Sequence, residues 1–115
     1  MNKSAETRRL YFWEENWIPN GPDTSIKELR TLGHRIWHEQ GRKSAPPEIV
    51  AGKGSPNRPG GRELSYAVGK RIVLCRAQRR PRTLIHEMAH TLLPERVDHG
   101  PEFLNLYQEL LGRYL

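Results

Sequence analysis

The sequence predicts an α+β domain, and two patterns carry that prediction. Apolar residues recur at helical spacing in three segments, Ile26 to Trp37, Leu84 to Leu93 and Phe103 to Tyr114. Between the first two, Leu64, Tyr66 and Val68 alternate with polar or small residues, and a Gly69-Lys70 turn leads into the run Arg71 to Cys75, which is a hairpin pattern. At 115 residues the chain is expected to be a single domain, with residues 1–22 its least defined part.

From the N-terminus, charges mix with the aromatic cluster Tyr11, Phe12, Trp13 and Trp17 and stop at the breakers Pro19-Asn20-Gly21-Pro22. A short strand is expected over Leu10 to Trp13, and the aromatics read as a core or interface patch. A helix follows: Ser25 with Glu28 makes a capping box, and Ile26, Leu29, Leu32, Ile36 and Trp37 recur until Gly41. From Ser44 to Gly61, four prolines and four glycines surround one apolar stretch, predicting a strand at Glu48 to Ala51 and then a long irregular loop. After the hairpin comes a basic connector, Arg76 to Arg82. Thr83 to Leu93 reads as a helix apolar around most of its circumference and hence buried. Gly100-Pro101-Glu102 opens the last helix, with proline in its first turn and an acid at the positive dipole end. Phe103, Leu106, Tyr107, Leu110, Leu111 and Tyr114 form its inner face.

Composition narrows the function classes. The chain is 36% hydrophobic and 28% charged, so a small real core is expected. Nineteen Lys and Arg, fourteen of them Arg, against thirteen acids give a net charge of +6, which suits acidic partners or polyanions. The single cysteine, Cys75, rules out an intrachain disulfide and a cysteine-based zinc site. With no apolar leader and no stretch near the roughly 18 apolar residues of a membrane span, a cytoplasmic protein without a membrane partner is expected.

The chemistry concentrates in His86-Glu87-Met88-Ala89-His90, an H-E-x-x-H segment within the most hydrophobic helix. Four residues at about 100° each bring His90 within roughly 40° of His86 and about 6 Å along the axis, so both imidazoles can reach one zinc ion. Glu87, on the neighbouring face, is placed to act as general base on a water at the metal. Composition alone predicts about 0.02 such matches by chance. Two ordinary helix histidines and a glutamate would also be costly on a buried apolar helix. A catalytic zinc takes a third protein ligand and keeps a fourth position open. His99, nine residues after His90, is the first candidate, with Asp98 and Glu95 as competitors. His34 and His38 repeat the four-residue spacing but lack an acid between them, and read as partly exposed helix histidines.

The segment His86-Glu87-x-x-His90 followed by His99-Gly100-Pro101-Glu102-Phe103 resembles the H-E-x-x-H…H-G-x-x-F/W pattern of SprT-like zincin metallopeptidases and of small metallohydrolases from actinobacteria and their phages. The resemblance extends over about Tyr66 to Tyr107. It implies a minimal zincin fold, with an N-terminal helix, a small mostly antiparallel sheet, the H-E-x-x-H helix and a C-terminal helix. It also implies His86, His90 and His99 as zinc ligands and Glu87 as general base. The chain departs from the pattern in lacking a cysteine-rich zinc ribbon, and Gly52 to Gly61 has no counterpart, so neither nucleic-acid coupling nor substrate carries over.

Other residues complete the expectations. Arg71, Arg76, Arg79, Arg80 and Arg82 cluster before the H-E-x-x-H helix, where positive charge opposes the helix dipole, and they are candidates for binding nucleic acid or an acidic partner. Tyr107, Tyr66 and Arg96 are candidates for stabilising an oxyanion. Arg71 to Cys75 or Glu63 to Val68 can offer a strand edge to an extended peptide. Cys75 reads as a small buried hydrophobe. The expected function is a zinc metallopeptidase acting on a protein or peptide substrate. The alternatives are a basic nucleic-acid or protein binding module with a structural zinc, and a metallohydrolase of non-peptide amides or esters.

Overall fold

A computed structural model describes residues 5–19, 21–52, 65–94, 97 and 99–115. Its first element corrects the reading of the N-terminal segment: Ala5–Trp17 is a helix, α1, where a strand at Leu10 to Trp13 was expected. The adjacent aromatics suggested β structure. The side chains that turn inward, however, are Leu10, Glu14 and, in part, Trp13, a recurrence at i, i+3 and i+4 that only a helix places on one face. No basic residue occupies the last turn of α1. Arg82 supplies one from elsewhere, its guanidinium donating to the carbonyls of Glu14 and Ile18 at 2.7 Å each. That satisfies the Ile18 carbonyl, gives the Glu14 carbonyl a second donor beside the Ile18 N–H, and places a cation at the negative dipole end.

The second helix, α2 (Ile26–Glu39), starts where the capping box placed it, with Ser25 Oγ accepting from the Glu28 N–H at 3.1 Å. It stops at Gly41, whose φ of +78° is the left-handed conformation that closes helices. Strands β1 (Glu48–Gly52), β2 (Tyr66–Val68) and β3 (Arg71–Cys75) follow the expected positions. The long loop expected after β1, together with Glu63 and Leu64, lies outside the described residues. A short 3₁₀ turn, Arg76–Gln78, leads to α3 (Pro81–Leu92), and Pro101–Tyr114 forms α4. Proline at the first position of α3 lets that helix begin two residues before the expected Thr83.

The chain is thus an α+β protein with four helices and a three-stranded mixed sheet among the described residues. The strand order is β1-β3-β2, with β2 and β3 antiparallel through the Gly69-Lys70 turn. β1 runs parallel to β3, with Ile49 opposite Ile72 and Ala51 opposite Leu74. The expectation of a mostly antiparallel sheet therefore holds for one of the two ladders. The connection from β1 to β3 passes through β2 and is long enough for the crossover that a parallel pair needs. Because β3 is paired on both sides, Arg71 to Cys75 offers no free edge, and β2 is the hairpin strand at the rim of the sheet.

α2 packs on β1, while α3 packs on β2, β3, α2 and α4. Their shared core holds Leu29, Ile36, Ile49, Ile72, Leu84 and Met88, all essentially inaccessible. Close approach of α2 to β1 depends on Gly33, where a Cβ would lie 2.4 Å from Ile49 Cδ1. Cys75 is buried as expected, its thiol donating to Gln78 Oε1 at 3.2 Å. No described helix is long and apolar enough to cross a membrane. Replacing Gly33 with Val should lower stability by about 1–3 kcal/mol through overpacking against Ile49, read as a lower urea midpoint at unchanged m-value.

Candidate metal centre

The apolar helix α3 buries Leu84 to Ala89 without interruption, and His86 and Glu87 are carried inside with them at 8% and 7% exposure. One turn on, His90 is half-buried. The chain then leaves α3 through two successive turns, with the Val97 N–H donating to the Pro94 carbonyl at 3.0 Å and the Gly100 N–H to the Val97 carbonyl at 2.9 Å. These turns reverse the chain and deliver His99 to the face of α3 that carries the other two imidazoles.

The three histidines converge through their Nε2 atoms. His99 Nε2 lies 3.0 Å from His90 Nε2 and 3.3 Å from His86 Nε2. Among the described residues these three form the group of metal-ligating side chains, with ligand atoms all within 4.8 Å of one another. Zinc–nitrogen bonds of about 2.0–2.1 Å in a tetrahedral array would put ligand nitrogens about 3.3–3.4 Å apart, the separation of His86 and His99 but longer than that of His90 and His99. Phe103 explains the spacing of the motif after His99: fully buried, its ring stacks on His90 at 4.4 Å and meets His86 and His99 edgewise at 5.1 Å each.

Proton positions sharpen the fit. His86 Nδ1 is 3.1 Å from Glu14 Oε2, 6% exposed on α1. Burial by itself would raise the pKa of Glu14. The hydrogen bonds from His86 and Tyr107, with the charges of His86 and Arg82, overcome it and hold the carboxyl below its usual value. An ionised carboxylate only accepts, so His86 donates to Glu14 from Nδ1 and its Nε2 is the atom turned towards His99. His99 Nδ1 lies 3.0 Å from the Thr7 hydroxyl, also on α1. The Thr7 hydroxyl accepts from or donates to this nitrogen according to the tautomer of His99. Burial, reinforced by the charges of His86 and His99, lowers the pKa of His90 to about 3, so this imidazole stays in the neutral form that binds metals.

Glu87 differs from Glu14. Among the described residues no donor contacts its carboxylate, and burial raises its pKa, with His86 opposing and Glu14 adding to the rise. One acid is held ionised by its bonds and the other is left with a proton affinity nearer neutrality.

The remaining sequence candidates divide. Tyr107 is fully buried and its phenol donates a short hydrogen bond to Glu14, so it supports His86 instead of facing a substrate. Tyr66 is half exposed on β2, and Arg96, Glu95 and Asp98 lie outside the described residues. His34 and His38 are exposed on α2 and take no part in the cluster. Four of the five connector arginines have internal partners. Arg82 caps α1, and Arg80 bonds the Gly21 carbonyl at 2.9 Å and Asp23 at 3.1 Å. Arg79 reaches the Leu74 and Gly52 carbonyls at 3.4 Å, and Arg71 pairs with Glu48 at 2.9 Å. Arg76 is exposed and has no such partner among the described residues.

Sequence reading missed Thr7, Tyr11 and Glu14, all on α1. Tyr11 is 38% exposed and lies over the cluster, its ring parallel to His86 at 6.4 Å and edge-on to His99 at 5.8 Å. A signal was present: Thr7, Leu10 and Glu14 share one helical face, but only after the segment is read as helix.

The lowered pKa of Glu14 has a consequence for the metal-free protein. Its folded value lies below the ordinary 4.5, so the stability it contributes is complete above about that pH and is lost as pH falls through the lower folded value. The stability gap between wild type and Glu14→Gln, measured by urea unfolding with chelator present, should therefore be wide at pH 6 and close towards pH 2; a gap that stays constant removes the ionic role of Glu14. Comparison of the chain with family models, with curated proteins and with solved structures gives no match.

Proposed function

We propose that this chain is a zinc-dependent metallopeptidase of the SprT-like zincin kind, working in the cytoplasm. The observation that carries the reading is the convergence of three imidazoles, with His99 Nε2 3.0 Å from His90 Nε2 and 3.3 Å from His86 Nε2, beside the Glu87 carboxylate, to which no described residue donates. His86, His90 and His99 would hold the ion. Zinc bound there supplies Lewis acidity, lowering the pKa of a water and polarising a substrate carbonyl.

This chain's own residues do the rest. Glu87 takes a proton from the attacking water, whose oxygen bonds to the carbonyl carbon, and returns that proton to the nitrogen as the C–N bond breaks. Burial suits Glu87 to both tasks, because a raised pKa makes it a better acceptor in the first step and a competent donor in the second. Glu14 and Thr7 fix the ring planes of His86 and His99, and Phe103 closes the cluster from below. Nothing in this arrangement is peculiar to a peptide bond, so the breadth of amide and ester substrates is an outcome to be measured.

Purified protein should carry one zinc per chain by elemental analysis, and His99→Ala should lose it. Glu87→Gln should keep the zinc while peptide hydrolysis falls by about 10²–10⁴-fold. Full activity in Glu87→Gln would end the proposal. Glu14→Gln should weaken zinc about 10–100-fold in a chelator competition, because a neutral carboxamide is a weaker acceptor than the carboxylate and its NH2 group can also donate, so it orients His86 less firmly.

A further inference from the structure

A groove of about 400 Å³ runs between α1 and the first half of α4. Its floor is apolar, made by Leu10 and Trp13 from α1 and by Pro101 and Leu104 from α4. One end is formed by His99 and Gly100, so the ring assigned to the metal cluster is also a wall of the groove. The rim carries Glu6 and Arg9 on one side and Asn105 and Gln108 on the other.

Resting on the metallopeptidase reading, we propose that this groove is the specificity pocket of the site and takes a bulky aliphatic or aromatic side chain from the residue flanking the scissile bond. Three features select that occupant. The volume lies at the lower end of ligand pockets, room for one large side chain and too little for a folded partner. The lining withholds charge from the floor, while the rim balances one anion against one cation, so the groove favours apolar over charged side chains. The exposed amides of Asn105 and Gln108 supply donors and acceptors at the height where an extended backbone would pass. His99 ties the groove to the reacting end, because a chain whose carbonyl sits at the cluster has its neighbouring side chain beside that ring. α1 is therefore assigned two roles. Thr7 and Glu14 steady the ligands, and Leu10 and Trp13 recognise substrate.

The test uses the zinc-loaded full chain and a second readout that needs no turnover. Mass spectrometry of a mixed peptide library should show Leu, Phe or Met beside the cleaved bond favoured at least about 10-fold in kcat/KM over Gly or Asp. Leu104→Trp, which fills the groove, should abolish that preference while zinc content stays unchanged. Leu104→Ala should move the preference towards larger aromatics. Separately, N-acetylphenylalaninamide should shift the backbone amide resonances of Leu10, Trp13 and Leu104, N-acetylglycinamide should not, and Leu104→Trp should erase the response. Flat cleavage preference, or equal response to both amides, overturns the groove assignment. Selective shifts in a protein that binds zinc but cleaves no peptide would keep the groove as a site for apolar side chains and overturn the peptidase reading alone.

Discussion

The hydrogen bond between His86 Nδ1 and the buried carboxylate of Glu14 is the contact on which the rest of the centre depends. An ionised carboxylate taken out of water is costly unless its lone pairs are satisfied and its charge is balanced. Glu14 meets both demands with partners from two other helices: the imidazole on α3, the Tyr107 phenol on α4, and the nearby guanidinium of Arg82 at the start of α3. One side chain thereby pins α1 against α3, which carries His86 and His90, and against α4, which begins two residues after His99. The apolar share of that docking is modest, since only Leu10 is a fully buried hydrophobe of α1, so polar satisfaction decides where the helix sits. The N-terminal helix is accordingly part of the site, not an appendage to a domain that begins at α2.

The same contact separates the two buried acids of the centre. Glu14 and Glu87 are almost equally enclosed, at 6% and 7% exposure, yet their environments push them in opposite directions. Bonds from His86 and Tyr107 hold Glu14 in its charged form, whereas desolvation without a donor raises Glu87. Burial alone would have raised both. The difference in hydrogen bonding therefore makes one acid a fixed acceptor and leaves the other able to exchange a proton, a division of labour set by surroundings and not by residue type.

What the sequence revealed and what it hid follow from distance along the chain. His86 and His90 were legible because their spacing and the helical period are both local, and the cap at Ser25 and the Gly69 turn were legible for the same reason. His99 with Phe103 was nearly as local, since one helical turn sets the ring beneath the imidazoles. Glu14 and Thr7 bond histidines 72 and 92 residues away, and a pairing at that separation leaves no periodic trace in a single sequence. Their helix was further obscured by three consecutive aromatics that fit a strand equally well. The arginine connector shows a different limit of sequence reading. Counting formal charges identifies cations but not the carbonyls that receive them, and Arg79, Arg80 and Arg82 reach backbone oxygens of the strands, of the turn at Gly21 and of α1. Positive charge at the start of α3 opposes that helix's own dipole, but Arg82 is also the missing cation at the end of α1, which resolves the apparent conflict.

That pattern of cross-linking bears on why a histidine centre suits so small a chain. A domain of 115 residues with a single cysteine has a limited core and no covalent staple of its own. An ion on His86, His90 and His99 would join α3 to the turn before α4 directly, and to α1 through Glu14 and Thr7, so its binding free energy would be shared by three helices. A site serving stability alone gains from closing its coordination with a fourth protein ligand. Among the described residues the cluster supplies three, and Glu87, the acid next to His86 in sequence, is buried with its pKa raised and accepts from no described donor. One helix, α1, thus orients two of the three clustered imidazoles and forms one wall of the groove beside them, so the packing that holds the small fold together also sets the geometry of the cluster.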